Sequence, residues 1–449
     1  MPSSTPSLVL RAAVLLVLGL GAFAAARAQS LVDLFDAARA YDATYLAARA
    51  QADSAQYRAA QADALVRPNV ALSAGASHEN ANVPTSPVLR NGALTTDGAQ
   101  IGVQARHPLY NRANRPAIDQ AYKGLDIARA DLASAEQDLI VRVTQAYFDV
   151  LAAQDTLGFT IASKNAITEQ LAAAKRNFEV GTATITDTRE AQARYDLAVA
   201  QQIAAENDLK TKQAALDQLV GRQDVAPRPL AAPVQLPATL AAGSADDWVQ
   251  RAEAEHPAIR KAQLALDIAR LENSKARAAR LPTVDLVGSV AGGRNVGNGA
   301  NPAPGNFSNA TVGVQLSLPL YTGGAIDNRI RETASLEEKS RDDLDAARRV
   351  VALATRQTYL GVQSGQAQVK AFEAAESSNQ LALEATQLGY KVGVRVNIDV
   401  LNAQTQLYQT RRDLAKSRYD VLVNSLRLRQ ASGVLAPDDL KPINALLAP

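Results

Sequence analysis

Four segments of the chain alternate apolar and polar residues, which is the two-residue period of a β-strand. The apolar positions of the first pair of segments are Val70, Leu72, Ala74 and Ala76, followed by Ile101, Val103, Ala105 and His107. Those of the second pair are Val284, Leu286, Gly288 and Val290, followed by Val312, Val314, Leu316, Leu318 and Leu320. Strands of about ten residues with one apolar face fit either a transmembrane β-barrel or a half-buried soluble sheet. Alternation alone favours the soluble sheet, because the barrel pattern is weak in any one strand.

The longest segments have the sevenfold apolar spacing of helices that pack as coiled coils. The segment 112–180 would form a helix of about 100 Å at ~1.5 Å per residue. Its apolar residues seven apart are Leu125, Leu132, Leu139 and Ala146. The corresponding series in the second half is Val400, Leu407, Leu414, Val421 and Leu428. This spacing predicts left-handed coiled-coil seams, and Gly181 and Gly393 suit the left-handed backbone conformation that ends a helix.

Both halves of the chain have the same order of elements. The Ala-rich segment 31–66 lacks Gly and Pro, and it predicts a helix that ends before Pro68. Two strands, a very long helix, a tight turn and a second helix follow, and the second half repeats this order. Four strands cannot close a membrane barrel, because the smallest have about eight. Strands in a membrane would therefore require several chains to pool them.

A shift of 212 residues superimposes the two halves, which indicates an internal duplication. The matched pairs are Tyr147 with Tyr359, Val180-Gly181 with Val392-Gly393, Asp187 with Asp399, Ala191-Gln192 with Ala403-Gln404, and Gly221 with Gly433. Between the halves, the spacing of four prolines forbids helix and predicts an extended connector. The predicted domains are a signal peptide (1–28), a first repeat (29–221), a Pro-rich linker (222–243), a second repeat (244–433) and a tail (434–449).

Residues 1–28 have the order of a secretory signal peptide. A positive charge at Arg11 precedes an apolar run from Ala12 to Ala26, and Ala26-Arg27-Ala28 fits a cleavage site. The alternative is a short buried helix, which the occurrence of the three features in this order disfavours. No later segment approaches 18 consecutive apolar residues, so we expect no α-helical membrane span after cleavage before Gln29.

The composition excludes several classes of chemistry. Without Cys the chain has no disulfide, thiolate zinc site or Cys nucleophile, and its three His lie in different segments. Gly292 and Gly297 have the spacing of a phosphate-binding loop, but Asn298 stands where Lys is required, so the run 292–305 is interpreted as an exposed loop. With 47 basic and 45 acidic residues, no net field attracts nucleic acid. We predict no catalytic residue, metal site or cofactor.

Four stretches together resemble the TolC family of outer-membrane export channels. They are residues 146–151 (AYFDVL), 180–187 (VGTATITD), 317–324 (SLPLYTGG) and 390–403 (YKVGVRVNIDVLNA). The resemblance covers essentially the whole mature chain, with both repeats in the family's order. It is specific because the long helices, the hairpins and the turn sequences occur together.

The resemblance implies a fold that is mainly α with a β-barrel part. In a homotrimer, each chain would contribute four strands to a twelve-stranded barrel in outer-membrane lipid, and the coiled-coil hairpins would form an α-barrel across the periplasm of a Gram-negative bacterium. The implied function is the exit duct of a tripartite export system. Its partners would be a periplasmic adaptor (membrane fusion) protein and an inner-membrane pump of RND or ABC type. Drug efflux and type I protein secretion both use this architecture, and neither makes the chain an enzyme.

The same resemblance places a gate at the periplasmic tip. Polar ties between neighbouring hairpins would keep the tunnel shut, with Tyr390 and Arg395 bonded to Thr186 and Asp187. A guanidinium donates several charge-assisted hydrogen bonds to a carboxylate, and a partly exposed pair worth ~1 kcal/mol is easily broken. The alternative is that these residues are solvated polar groups at helix ends.

The pore constriction is expected at Asp399 and Asn402. Asp399 matches the first acid of the ring that narrows the family's tunnel, whereas Asn402 stands where relatives commonly carry a second acid. The resemblance therefore implies three carboxylates in a trimer rather than six. Such a ring favours cations, and it would bind a blocking multivalent cation more weakly than six carboxylates.

The two turns are candidate docking sites for the adaptor's helices. They are Val180-Gly181-Thr182 and Val392-Gly393-Val394, and exposed Val is unusual at a solvent-facing tip. Packing of each Val on its own hairpin is a compatible alternative. For the whole chain, the alternative function is a periplasmic coiled-coil adaptor or structural protein without a pore. Two equal repeats favour the duct, because an adaptor is expected to have one coiled-coil hairpin and a lipoyl-like β domain.

Overall fold

The computed structural model describes residues 29–448 apart from 83–92, 235, 238–239, 241 and 298–303. The expected signal peptide lies outside the described residues. The chain forms two compact units. We call residues 1–48, 133–256 and 350–449 the helical unit, and residues 49–132 and 257–349 the sheet unit. No helix in the described part of the chain is apolar over a length that would cross a membrane.

The four alternating segments form one antiparallel sheet in the order β1-β2-β3-β4. The strands are β1 (Asn69–Asn82), β2 (Ala93–Tyr110), β3 (Thr283–Gly297) and β4 (Gly305–Ser317). Leu72 pairs with Val103, Val103 with Val290, and Val290 with Ala310. Because directly opposed residues share a face, the predicted apolar positions form one face of the sheet. That face is exposed to solvent in the single chain.

The run 292–305 is not the continuous loop that its glycines and asparagines indicate. β3 continues to Gly297, so the predicted loop is wrong over residues 292–297. A Cβ at Gly293 would collide with the carbonyl oxygen of Ala99 and lie 2.8 Å from the ring of Phe307. Glycine is therefore required here by the close approach of neighbouring strands, rather than by a turn.

The helices follow the predicted order. They are α1 (Leu31–Tyr41), α2 (Ala43–Ala62), α3 (Asn114–Glu179), α4 (Ile185–Val220), α5 (Ala245–Glu255), α6 (Pro257–Ala278), α7 (Ala325–Lys391), α8 (Asn397–Ala431) and α9 (Leu440–Asn444). Short 3₁₀ helices occur at Asp63–Val66 and Pro437–Asp439. The two long helices, α3 and α7, have 66 and 67 residues.

The predicted helix over residues 31–66 is interrupted at Asp42, where the prediction is wrong. The backbone of Asp42 is extended, and its Oδ1 accepts a hydrogen bond from the amide of Tyr45 at 2.8 Å, which caps α2. Both carboxylate oxygens also accept hydrogen bonds from Arg142 at 3.0 Å. The hydrogen bond from Arg142 is the main reason that the pKa of Asp42 is lowered. The break is therefore fixed by a side chain from a distant part of the sequence.

The predicted coiled-coil positions of α8 are buried. All five residues of the series are 3% exposed or less: Val400, Leu407, Leu414, Val421 and Leu428. Leu383 of α7 packs on Val400 and Leu407. Leu401, on the neighbouring position of α8, joins a second cluster with Leu171 of α3 and Ala191 of α4. The helical unit is thus held together by small and medium apolar side chains along its seams.

The Pro-rich connector is bonded at each end by one of two equivalent tyrosines. The hydroxyl of Tyr147 on α3 donates to the carbonyl of Arg228 at 2.9 Å. The hydroxyl of Tyr359, its equivalent on α7, donates to the carbonyl of Gly243 at 3.1 Å. The matched tyrosines of the duplication therefore fix the connector to both long helices.

Candidate functional site

Two turns at equivalent positions close the helical hairpins. We call α3 with α4 hairpin 1, and α7 with α8 hairpin 2. Gly181 and Gly393 follow the long helices with φ of 78° and 81°. The amide of Thr182 donates to the carbonyl of Asn177 at 2.8 Å, and hairpin 2 repeats this bond from the amide of Val394 at 2.9 Å. These are Schellman motifs, in which a left-handed glycine lets the last carbonyls of a helix find donors.

The turns present aliphatic side chains to solvent. Val180 is 72% exposed in hairpin 1, and Val392 and Val394 are 66% and 79% exposed in hairpin 2. At the starts of the returning helices, Ile185 is 50% exposed and Val396 is 56% exposed. In the single chain, both tips are therefore apolar surfaces without a cover.

The returning helices begin differently in the two hairpins. Thr184 caps α4 in a capping box, where the carboxylate of Asp187 accepts from the Thr184 amide at 2.9 Å and from its hydroxyl at 2.8 Å. The equivalent position in hairpin 2 is Val396, which makes no side-chain cap. Asp399, the equivalent of Asp187, instead lies 3.6 Å from the guanidinium of Arg395. Hence Asp187 is occupied by local capping, whereas Asp399 is not.

Three side-chain hydrogen bonds join hairpin 1 to hairpin 2 near the tips. Asn177 donates to the hydroxyl of Tyr390 at 3.1 Å, Arg194 donates to Oδ1 of Asn402 at 3.0 Å, and Gln170 donates to Oδ1 of Asn397. Two of the predicted site residues, Tyr390 and Asn402, are therefore in contact with the other hairpin. Their partners Asn177 and Arg194 were missed, because they have no counterpart in the repeat pattern.

The predicted gate ties are not formed within one chain. No hydrogen bond or ion pair among the described residues joins Tyr390 or Arg395 to Thr186 or Asp187. Thr186 and Arg395 are exposed and Tyr390 is half-buried, whereas Asp187 is half-buried and already accepts two hydrogen bonds from Thr184. Ties between chains stay a prediction.

Some buried polar atoms of α4 and α8 have no hydrogen-bond partner among the described residues. Asn397 is buried, and its Nδ2 donates to no other described group. The same holds for Oε1 of Gln404, two helical turns further along α8, and for Oγ1 of Thr188 on α4. A buried polar atom that lacks a hydrogen bond costs about 1–3 kcal/mol. The unpaired Nδ2 of Asn397 therefore offsets part of the stabilisation from the hydrogen bond that its Oδ1 accepts from Gln170.

Glycine at position 389 makes room for the side chain of Arg395. A Cβ added to Gly389 would lie 2.8 Å from Cγ of Arg395. In hairpin 1 the sizes are reversed, since Asn177 occupies the position of Gly389 and Ala183 that of Arg395. The side chain of Arg395 therefore packs closely against Gly389, where a residue with a side chain would not fit unless Arg395 moved.

No group of three or more His, Asp or Glu among the described residues is placed to hold a metal ion. The charged side chains at the tips are paired, capped or solvated, and none lies in an enclosed cavity with a nucleophile. The contacts between the hairpins near the tips are side-chain hydrogen bonds of exposed or partly buried residues.

Comparison with known proteins relates most of the chain to outer membrane efflux proteins. A family model described as outer membrane efflux protein matches residues 34–222 and 248–434. The outer membrane protein TolC of Vibrio cholerae is 33% identical over 351 residues, which is 78% of this chain and 80% of TolC. The alkaline protease secretion protein AprF of Pseudomonas aeruginosa is 36% identical over 323 residues, or 70% of this chain and 65% of AprF.

The fold is also that of a solved outer membrane protein. The crystal structure of the outer membrane protein VceC from Vibrio cholerae matches with a TM-score of 0.74 and 20% sequence identity. The match covers 90% of this chain and 96% of VceC. Long helical hairpins joined to a small antiparallel sheet are thus the architecture of this chain and of VceC, which confirms the predicted fold class.

Proposed function

The chain belongs to the outer membrane efflux protein family, and on that basis we propose that it is the outer-membrane exit duct of a tripartite export system. The relatives support two cargo classes. The family description supports efflux, and AprF, named for alkaline protease secretion, supports type I secretion of proteins. The family role is that of a channel and not of an enzyme. The duct would lie in the outer membrane of a Gram-negative bacterium, with its helices in the periplasm.

The sheet is the observation that carries this proposal. It has a continuous apolar face, and among the described residues β1 and β4 have a partner on one side only. Long unpaired edges and an exposed apolar face are unstable in water. In a homotrimer, β4 of each chain pairs with β1 of the next, and twelve strands close a barrel whose apolar face meets lipid.

We place the gate of the duct at the hairpin tips. In the trimer, Arg395 and Tyr390 of one chain bond Thr186 and Asp187 of the neighbouring hairpin and keep the tunnel shut. The contact between Arg395 and Asp399 supports this, because 3.6 Å is long for a charge-assisted hydrogen bond. The guanidinium can therefore still donate hydrogen bonds to a neighbouring chain. Asp399 and Asn402 line the constriction. Opening then requires only that a few exposed pairs of ~1 kcal/mol each be broken.

The aliphatic tips are the docking surface for the periplasmic adaptor. The turns Val180-Gly181-Thr182 and Val392-Gly393-Val394 are exposed and equivalent, so a trimer would present six similar apolar tips to the adaptor's helices. The adaptor joins the duct to a pump of RND or ABC type in the inner membrane. Docking beside the gate would let the same contact hold the duct open.

A pair of arginine substitutions on β2 tests the duct. Val103 lies on the apolar face between Leu72 and Val290, and Gln104 lies on the opposite face. An arginine on the lipid face of a barrel costs about 2–4 kcal/mol near the membrane centre, whereas the lumen tolerates it. We expect V103R to prevent stable insertion into lipid vesicles and Q104R to insert like the wild type. Equal insertion of both variants, or release of the wild type from membranes by salt alone, would favour a periplasmic protein without a pore.

A further inference from the structure

Arg194 brings a positive charge to the constriction. Its Nη2 lies 3.0 Å from Oδ1 of Asn402, which is exposed near the start of α8. Asn402 has no charge, so this hydrogen bond leaves the guanidinium charge intact. Among the ion pairs of the described residues, none includes Arg194. Because arginine stays protonated at any relevant pH, each chain adds a permanent cation beside Asn402.

The carboxylate of Asp399 also lies close to a positively charged side chain. Asp399, one helical turn before Asn402, lies 3.6 Å from Arg395. Over the two equivalent tip segments, residues 175–196 and 387–408, the chain has six basic and five acidic residues. The tip is therefore not an acidic surface, even though Asp399 is part of it.

We propose that Arg194 determines the ion selectivity of the constriction, making it permeable to anions and unsuited to binding multivalent cations. The inference rests on the proposed position of the constriction at Asp399 and Asn402. This proposal replaces the prediction of a cation-favouring ring. In a trimer, the charges of the three Arg194 side chains offset those of the three Asp399 side chains. The substrates that this opening favours are neutral or anionic rather than polycationic.

The expected effect is large enough to measure. A unit charge about 6–7 Å from a permeating ion in water changes its local concentration about threefold, and the change is greater in a narrow opening of lower dielectric constant. A trivalent cation experiences the cube of that factor, or about thirtyfold. Selectivity among small ions and block by La³⁺ are therefore two independent readouts of the same charge.

The variant R194Q removes the charge and R189Q is its control. Arg189 is an exposed residue five positions before Arg194 on α4, and its side chain leaves the helix about 140° away from that of Arg194. R194K retains the charge. Each full-length protein is inserted into a planar bilayer, and the reversal potential in a KCl gradient and the inhibition by La³⁺ are recorded.

We expect the wild type and R189Q to pass chloride at least as well as potassium and to resist La³⁺. In R194Q the potassium-to-chloride permeability ratio should rise about threefold or more, with onset of La³⁺ block, and R194K should behave like the wild type. An equal shift in R189Q and R194Q, or no shift in R194Q, overturns the assignment to Arg194. D399N separates the two proposals, because an unchanged reversal potential in D399N means that the constriction lies elsewhere.

Discussion

Replacing Gly389 with Ala tests whether the position of the Arg395 side chain keeps the duct closed. A Cβ on residue 389 would lie 2.8 Å from Cγ and 3.5 Å from Cβ of Arg395. Carbon atoms in contact are about 3.5–4.0 Å apart, so Arg395 must change rotamer or move by about 1 Å. Either response displaces its guanidinium from the neighbourhood of Asp399 and from the place where a neighbouring chain would meet it.

The expected effects on stability and on gating differ. Alanine in a helix is favoured over glycine by about 1 kcal/mol, whereas an arginine held off its rotamer costs about 0.5–1.5 kcal/mol. These contributions nearly cancel, so we expect the Tm of G389A to stay within a few degrees of the wild type. If each of the three ties in a trimer loses about 1 kcal/mol and all open together, the ratio of open to closed channels rises about a hundredfold.

Single-channel recording of spontaneous openings measures that ratio. The matched control is G361A, because Gly361 is in the same helix and a Cβ there would meet nothing within 4 Å. G361A gains the same helix propensity without displacing Arg395, and it should stay as closed as the wild type. The reasoning is refuted if G389A is as closed as the wild type, or if G361A opens as often as G389A. In an R395A background, G389A should add no further opening.

Two further predictions concern the contacts that support the hairpins. Y147F removes the buried hydroxyl that donates to the carbonyl of Arg228 at 2.9 Å, and we expect a loss of about 1 kcal/mol, seen as faster proteolysis of the connector and a lower Tm. Burial raises the pKa of Glu272, but hydrogen bonds led by that from Lys275 outweigh it and lower the pKa from 4.5 to about 2. Because the folded pKa is depressed, this carboxylate stabilises the sheet unit above pH ~4.5, and the contribution is lost as the pH falls towards 2. The Tm of E272Q should therefore vary less with pH in that window than the wild-type Tm, and an equally steep dependence would contradict the assignment.

Features with a local period were predictable from the sequence. The sevenfold series from Val400 to Leu428 identified the buried face of α8, because burial of an α-helix repeats at nearly that interval. The alternation around Val103 identified the apolar face of the sheet, because side chains alternate along a strand. Gly181 and Gly393 marked the turns, because few other residues adopt the left-handed conformation found there.

Features that depend on distant side chains were not predictable. The break at Asp42 relies on Arg142, 100 residues away, and nothing in the Ala-rich segment itself ends the helix. Arg194 and Asn402 are separated by 208 residues, and neither the duplication nor any motif pairs them. The glycines of 292–297 were misjudged because the neighbouring strand and the Phe307 ring, rather than a turn, exclude a side chain at Gly293.

The most direct test of the account is the single-channel conductance of the purified protein in a planar bilayer, recorded beside D399N. An exit duct with its constriction at Asp399 predicts discrete openings, and it predicts a reversal potential that moves towards anion preference in D399N. Openings that are indifferent to D399N would retain the duct and contradict the constriction. A well-folded oligomer that never inserts or conducts would contradict the duct itself and support a periplasmic coiled-coil protein.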